Sequence, residues 1–368
     1  MGVIFLTVSG VGYWAVKDTP IQTIPYPYLV NIDEPSDLLL AEQAQILIIG
    51  DRLGLSLGKF LPEIINELSK NLKEPLRTYV WAKEHEGLHR TLNKLKMLKK
   101  WPKAVIYLGA SEEGYEKKFN IKDFSRIMLN FKAFNNATLS TLIMAFPPSS
   151  KVVYRQTNMV SLDKEIKARN ETSFSTGADE LNFLKLHFKI FESELRELHG
   201  LLREHEVTLI SLTTPINFDV SPKKVCSDMV TPTTMSEEVR AEEMINSGDF
   251  KSAFNLLTPI VQNLPGHSRM TFLYAKSAMQ SGQMAFAKEN FIKSAAFDCE
   301  LWRGHPIFNE LIRRLSSEYG QTLIDYANIL LGHYGRDETF LNDYYPQDFY
   351  QKLTMQMIKE KLKKIFNL

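Results

Sequence analysis

At 368 residues the chain is long enough to bury a substantial core, either as one elaborated domain or as a large domain with a smaller one. Its 44 basic and 43 acidic side chains leave a formal net charge of +1, which excludes a global field drawing the protein to nucleic acid or to an anionic bilayer. The two cysteines, Cys226 and Cys299, neither demand nor forbid an oxidising compartment, and no Cys-x-x-Cys pair exists.

In chain order, the apolar run "VIFLTVSGVGYWAV" at 3–16 ends at Lys17-Asp18. It is shorter than the ~20 residues of a spanning helix, and it lacks a basic flank and a cleavage pattern. Residues 1–17 are therefore expected to be a membrane anchor or signal remnant, with an edge strand as the plainer alternative. Residues 18–43, with Pro20, Pro25, Pro27 and Pro35, read as an extended tether. An apolar start followed by such a tether favours an exported, extracytoplasmic protein held at the inner membrane.

"AQILIIG" is a short apolar run closed by Gly50, as expected of a buried parallel strand. "KFLPEIINELSKNL" carries a helical apolar stripe. "RTYVWA", "LHRTLNKLKMLKKW" and "KAVIYLG" continue as strand, helix, strand. The long helix "ELNFLKLHFKIFESELRELHGLLREH" precedes the strand "VTLISLTTP"; later come the helix "IFNELIRRLSSEYG", the strand "QTLIDYA" and the closing helix "YQKLTMQMIKEKLKKIF". Strands alternating with helices predict a doubly wound α/β fold, a parallel sheet covered on both faces, with its site at the carboxyl ends of the strands. Gly50, Gly109 and Pro215 would stand there.

The basic run Lys94, Lys96, Lys99, Lys100 and Lys103 reads as a solvated helix face. His85 and His89 have a metal-compatible i, i+4 spacing, but Gly87 weakens the helix and no third ligand is local; no metal and no cofactor are expected.

Between the last two strands, "EEMINSGDFKSAFNLL" superimposes on "AKSAMQSGQMAFAKENF" at a shift of 34: Ala241 on Ala275, Gly248 on Gly282, Ala253 on Ala287, Leu257 on Phe291. This period resembles a pair of tetratricopeptide repeats over residues 233–297. Two units are too few to stand alone, so they are expected to pack on the sheet domain, itself assigned to residues 44–232 and 298–368. A groove between the first helices would carry Phe272, Tyr274 and Lys276 with Arg240 and Glu243; alternatively residues 218–232 fill it. Separate thiols are the simpler expectation for Cys226 and Cys299, although a bond between them would clamp the insertion's ends.

Four blocks resemble, in order and context, those of the SGNH (GDSL-type) hydrolases, whose fold is flavodoxin-like. "IIGDRLG" keeps Gly50 and Asp51 but has Arg52 where the family has its nucleophilic serine. "AKEHEGLHR" offers Gly87 for the oxyanion-hole glycine. "YLGASEEG" keeps Gly109 but has Ser111 for the asparagine and Glu112 for the aspartate. "FLNDYYPQDF" keeps Pro346 but has Asn342 for the acid and Tyr345 for the histidine. The stretch "DCELWRGHPIFNELIRRLSSEYGQTLIDYANIL" resembles the segment before the last block in bacterial members with an inserted repeat pair.

The resemblance implies an esterase site in which every triad position is replaced. A guanidinium stays protonated and is no nucleophile, a tyrosine of pKa near 10 is a poor base at neutrality, and an asparagine cannot stabilise an imidazolium. Ser56 as a displaced nucleophile lies a helical turn away, and "GDRLGLSLG" lacks the ending of a phosphate loop. The expectation is a pseudoenzyme: a periplasmic scaffold acting through protein partners in a cell-envelope assembly. Its rivals are an acyl-ester hydrolase or acyltransferase on envelope polysaccharide, and a module binding an anionic sugar through Arg52. Arg52 is expected to pair with Asp51, Glu112 or Glu113 and close the former pocket, or else to point to water.

Overall fold

A computed structural model describes residues 35–70, 72–116, 118, 124, 125, 128 and 177–368. The apolar run at 3–16 and the first part of the tether lie outside the described residues. The last part of the tether is not extended: Pro35–Gln43 is a helix, α1, packed beside the sheet through Leu38 and Ala41. Its proline stands at the first position, where a missing N–H costs nothing.

Five strands form one parallel sheet: β1 (Ile46–Gly50), β2 (Thr78–Val80), β3 (Ala104–Leu108), β4 (Thr208–Leu212) and β5 (Thr322–Ile324). Their spatial order is β2-β1-β3-β4-β5, so the chain reverses its winding between β1 and β3. Alternate side chains feed two cores. Ile46, Ile48, Ile106 and Ile210 meet α2 (Arg52–Gly58), α3 (Leu61–Ser69) and, late in the chain, Leu330 of α11 (Tyr326–His333) and Ile358 of α12 (Asp348–Phe366). Leu47, Ile49, Val105 and Leu209 meet α1, α4 (Leu88–Lys96), α5 (Gly177–Glu204) and α10 (Pro306–Glu318). Helices on both faces make this an α/β protein of doubly wound kind, as the alternating pattern predicts; α11 went unanticipated.

Between β4 and β5 stand four helices: α6 (Pro232–Asn246), α7 (Phe250–Asn263), α8 (Ser268–Gln280) and α9 (Met284–Ala296). Their turns repeat at the expected offset, with Gly248 and Gly282 both at φ +82° in the left-handed region that glycine tolerates. Ala241, Ala253, Ala275 and Ala287 are all fully buried, the small residues letting the helices approach. The same core takes in Ile216, Phe218 and Tyr334 of the sheet domain, so the helical insertion shares a core with it.

Cys226 and Cys299 form a disulfide with a Cα–Cα distance of 5.3 Å, which corrects the expectation of separate thiols. Cys299 N donates to Lys224 O at 3.0 Å, and this backbone pairing fixes the separation that the sequence left open. Among the described residues no helix is long and apolar enough to cross a membrane.

The bond closes a loop of 73 residues. The chain-entropy relation gives about 4 kcal/mol of stabilisation for such a loop. Denaturant titration of C226S/C299S is expected to show a loss of that order. Intact mass after alkylation without reductant should show no added groups, and two added groups would show the bond to be absent.

Candidate functional site

The winding reversal places the turns after β1 and β3 side by side. At Gly50, φ is +124° and a Cβ would overlap the carbonyl oxygen of Leu108, so only glycine lets the two strand ends approach this closely. Asp51 follows, fully buried, as the N-cap of α2: it accepts from Leu53 N at 2.9 Å. Its other oxygen accepts from Ser111 N at 2.7 Å and Ser111 Oγ at 2.6 Å. Burial, aided by the nearby Glu112 charge and opposed by these hydrogen bonds, pushes the Asp51 carboxyl up to about 7.

Arg52 turns onto Glu112. The guanidinium and the Glu112 carboxylate form an ion pair whose side chains are 11% and 1% exposed. Glu112 also accepts from the backbone N–H of Arg52 at 3.3 Å and of His85 at 2.6 Å, while His85 Nδ1 lies 3.1 Å from it. His85 holds φ +60°, unusual for a non-glycine residue, and that conformation aims its amide at the carboxylate. The Tyr344 ring lies 4.5 Å from the guanidinium and the Tyr115 ring 5.8 Å. Of the expected partners, Glu112 is the one that pairs; Asp51 and Glu113 are held by other groups.

Behind this pair lies a buried ionic network that sequence reasoning missed. Lys94 Nζ donates to Glu86 at 2.6 Å and to Trp81 O at 2.5 Å, and Thr91 Oγ1 donates to Glu86 at 2.7 Å. Lys118 Nζ bridges Glu113 at 2.6 Å and Glu194 at 2.8 Å; Glu113 also accepts from Leu88 N at 2.8 Å. Lys94 is fully buried, which corrects its reading as part of a solvated face; Lys96, Lys99, Lys100 and Lys103 do face solvent. Desolvation raises Glu116 to about 7 and Glu194 to about 8, partly offset by Lys118. The Tyr107 hydroxyl is buried without a hydrogen-bond partner among the described residues, and burial beside Glu113 and Asp51 holds its pKa well above the usual value.

The remaining predicted positions divide. Gly87 caps α4 with its Cα against Glu116, where a Cβ would come within 2.7 Å of Oε2. Gly109 accepts from the Thr214 hydroxyl. Asn342 organises its own turn, its Oδ1 accepting from Tyr344 N at 3.0 Å and Tyr345 N at 2.9 Å. Tyr345 reaches out to Glu84 at 3.5 Å. Ser56 is buried and donates to Gln351 at 3.0 Å. His333 pairs with Asp337 at 2.9 Å. His85 and His89 diverge, His89 lying 3.2 Å from Glu194, and no metal-holding cluster occurs among the described residues. Glu84, His85, Tyr115 and Tyr344 also belong to the site; Glu84, His85 and Tyr344 lie within the stretches that carry the resemblance, at positions to which it gives no role, and Tyr115 directly follows another.

The groove between α6 and α8 is a cleft of about 310 Å³, lined by Glu242, Ile245, Asn246, Arg269, Phe272 and Lys276 and walled by Asp219 and Ser221. Tyr274 is not presented to it: the ring stacks on Phe254 at 4.7 Å and meets Phe286 edge-on at 5.4 Å. Phe272 is mostly buried against Phe291, at 5.5 Å, and Arg240 and Glu243 face solvent beside the cleft. The cleft is therefore mainly polar: of the two expected aromatic anchors, Phe272 lines it but is mostly buried, and Tyr274 packs elsewhere. Residues 219–221 wall it and do not fill it.

No family model, no curated protein and no solved structure matches this chain.

The geometry generates two expectations. Removing one member of a buried ion pair strands the other at a cost of about 3–5 kcal/mol. R52M should therefore lower stability by about 3 kcal/mol, with R52M/E112Q recovering more than half because no charge is stranded. A loss in R52M too small to detect by denaturant titration would show the pair to be energetically idle. The second concerns pH. Asp51, Glu116 and Glu194 have raised folded pKa values, so their contribution is complete below the unfolded value near 4 and is lost as pH rises through 7 to 8. His199, held near 4, and His305, held near 3, both by burial, lower stability only below about 6.5. The melting temperature is thus expected to fall between pH 6.5 and 8.5, and E194Q should flatten that decline; a melting temperature flat across the window counts against the network's retained protons.

Proposed function

We propose that the chain is a non-catalytic SGNH-like domain carrying a tetratricopeptide-like helical pair, a scaffold that works through protein partners in a bacterial cell-envelope assembly. One observation carries the reading. The position where the resembled family has its nucleophile bears a guanidinium paired with a buried carboxylate, and that carboxylate takes up the Arg52 amide at the N-terminus of α2. An anion-stabilising amide already bonded to Glu112 is not available to an acyl transition state. Ser111 supports the same reading, since its N–H and hydroxyl both serve Asp51.

The rival readings have less behind them. An ester hydrolase or acyltransferase with a relocated nucleophile would use Ser56, whose hydroxyl is buried on Gln351. An anionic-sugar module would use the charge of Arg52, which Glu112 already neutralises. With the strand-end site closed, the cleft beside α6 and α8 is the recessed polar surface suited to a partner. The Cys226–Cys299 bond accords with an oxidising, extracytoplasmic location.

Purified protein should not turn over short-chain p-nitrophenyl esters above buffer and should not be labelled by a fluorophosphonate probe. Stoichiometric labelling of a serine would sink the pseudoenzyme reading. For the scaffold, R269Q/K276Q is expected to abolish capture of the cross-linked envelope partner; Arg269 also pairs with Glu238 at 3.1 Å, a half-exposed contact of about 0–1 kcal/mol, so circular dichroism should show the fold retained. Unchanged capture would move recognition elsewhere.

A further inference from the structure

The outer face of α12 carries a row of exposed apolar side chains. Its inner side is sequestered, with Tyr350, Met355, Ile358 and Leu362 in the core. Phe349, Leu353 and Met357 stand one helical turn apart on the opposite side, 67%, 38% and 39% exposed, and Leu55 of the adjoining α2 is 38% exposed. Three large apolar residues at i, i+4 and i+8 on solvent are not needed to build the fold, because the helix already buries a complete second stripe.

The charges beside this row are one-sided. Lys352 extends over the Phe60 ring at 5.7 Å, while Lys361 and Lys364 follow along the helix. The acids near the row are committed: Glu360 to Lys363 at 2.7 Å and Glu67 to Lys359 at 2.7 Å. Asp348 sits in the first turn, where it complements the helix dipole. Over its length α12 has five lysines against two acids, a local excess that the chain's net charge of +1 conceals.

We propose that this face of α12, with Leu55 and Phe60 beside it, docks on an anionic lipid surface. Phe349, Leu353 and Met357 enter the headgroup boundary, and Lys352, Lys361 and Lys364 meet lipid phosphates. A second copy paired with its α12 parallel would bring these lysines against their own copies, and the response to protein concentration without lipid reads out the antiparallel pairing. The inference rests in part on the membrane-tethered reading. Residues 17–34 span at most about 60 Å when extended, so an anchor at 3–16 would hold the domain at high effective concentration near the bilayer.

The full chain has no thiol besides the disulfide pair, so L353C introduces a unique site for an environment-sensitive NBD dye. Phosphatidylglycerol-containing vesicles should raise its emission several-fold and shift it to the blue. The same dye at K251C, on the exposed side of α7, should not respond. K352E/K361E/K364E in the L353C background should weaken the response by at least roughly fivefold per lysine, the equivalent of about 1 kcal/mol each. No change at position 353, or an equal change at 251, overturns the proposal. A blue shift that grows with protein concentration in the absence of lipid also overturns it, since a second copy then covers the face. Flotation of the unlabelled K352E/K361E/K364E chain, whose face no longer docks, reads the tether separately. Flotation with a silent position 353 defeats the docked face and leaves the tether standing; loss of flotation defeats the tether, and the dye still reports on the face.

Discussion

The carboxyl end of the sheet is organised around one buried carboxylate. Glu112 lies where β1 and β3 lead to opposite faces, and a bare carboxylate there would be prohibitively costly. It is accommodated because a guanidinium and two backbone amides converge on it. That convergence depends on Gly50, whose missing side chain lets β1 lie against the Leu108 carbonyl, and on His85, whose left-handed backbone turns an N–H inward. Arginine at 52 and glutamate at 112 are therefore coupled choices: either alone would leave a stranded charge at the end of a parallel strand. The crevice in which α/β sheets usually bind ligands is occupied by the protein's own ion pair.

The network behind Glu112 extends the same logic. Asp51, Glu86, Glu113, Glu116 and Glu194 outnumber Arg90, Lys94 and Lys118 among the fully buried side chains described, and the excess is met by carboxyls that keep their protons near neutrality. Hydrophobic packing of equal volume would be at least as stable. What the charges add is intolerance of misalignment. A shift of α5 against the segment after β3 would part Lys118 from Glu194 and leave a charge without compensation in a region of low dielectric.

Periodicity made the sheet and its helices legible in the sequence. Each strand of "ILIIG" kind is a short apolar run, and each long helix has a stripe at 3.6-residue spacing. The 34-residue offset was legible because it lies in glycines and alanines whose roles are steric. Long-range pairing was not. Lys94 looks like its neighbours in the basic run until Glu86 and the Trp81 carbonyl are brought to it by the turn after β2. The disulfide depends on a backbone contact between residues 224 and 299, and the burial of Tyr274 on a ring at position 254 in another helix. Among the site positions, the meeting of Arg52 with an acid could be anticipated from the cost of a lone buried charge. Asn342 as a turn former and Tyr344 as a cover for the guanidinium required the loop to be seen folded.

The helical insertion is bound to the closed site by an unbroken run of polar contacts. The strap at 217–226 walls the cleft with Asp219, which accepts from Tyr334 at 3.0 Å, and Arg269 of α8 reaches the Pro222 carbonyl at 3.5 Å. Arg303 donates to the carbonyls of Asn217 at 2.6 Å and Val220 at 2.9 Å, fixing the strap from the sheet side. Asn217 Nδ2 in turn donates to the Asn342 carbonyl at 3.0 Å, in the turn whose Tyr344 covers Arg52. Contiguity of this kind is not coupling, which needs an element with two arrangements that both ends bias. It does determine what the cleft is: a composite surface, one wall supplied by the insertion and the other by a loop of the sheet domain cross-linked at Cys226. Its shape therefore depends on how the insertion seats on the sheet as much as on the residues of either part, and the α/β domain supplies one wall of the cleft as well as the insertion's support.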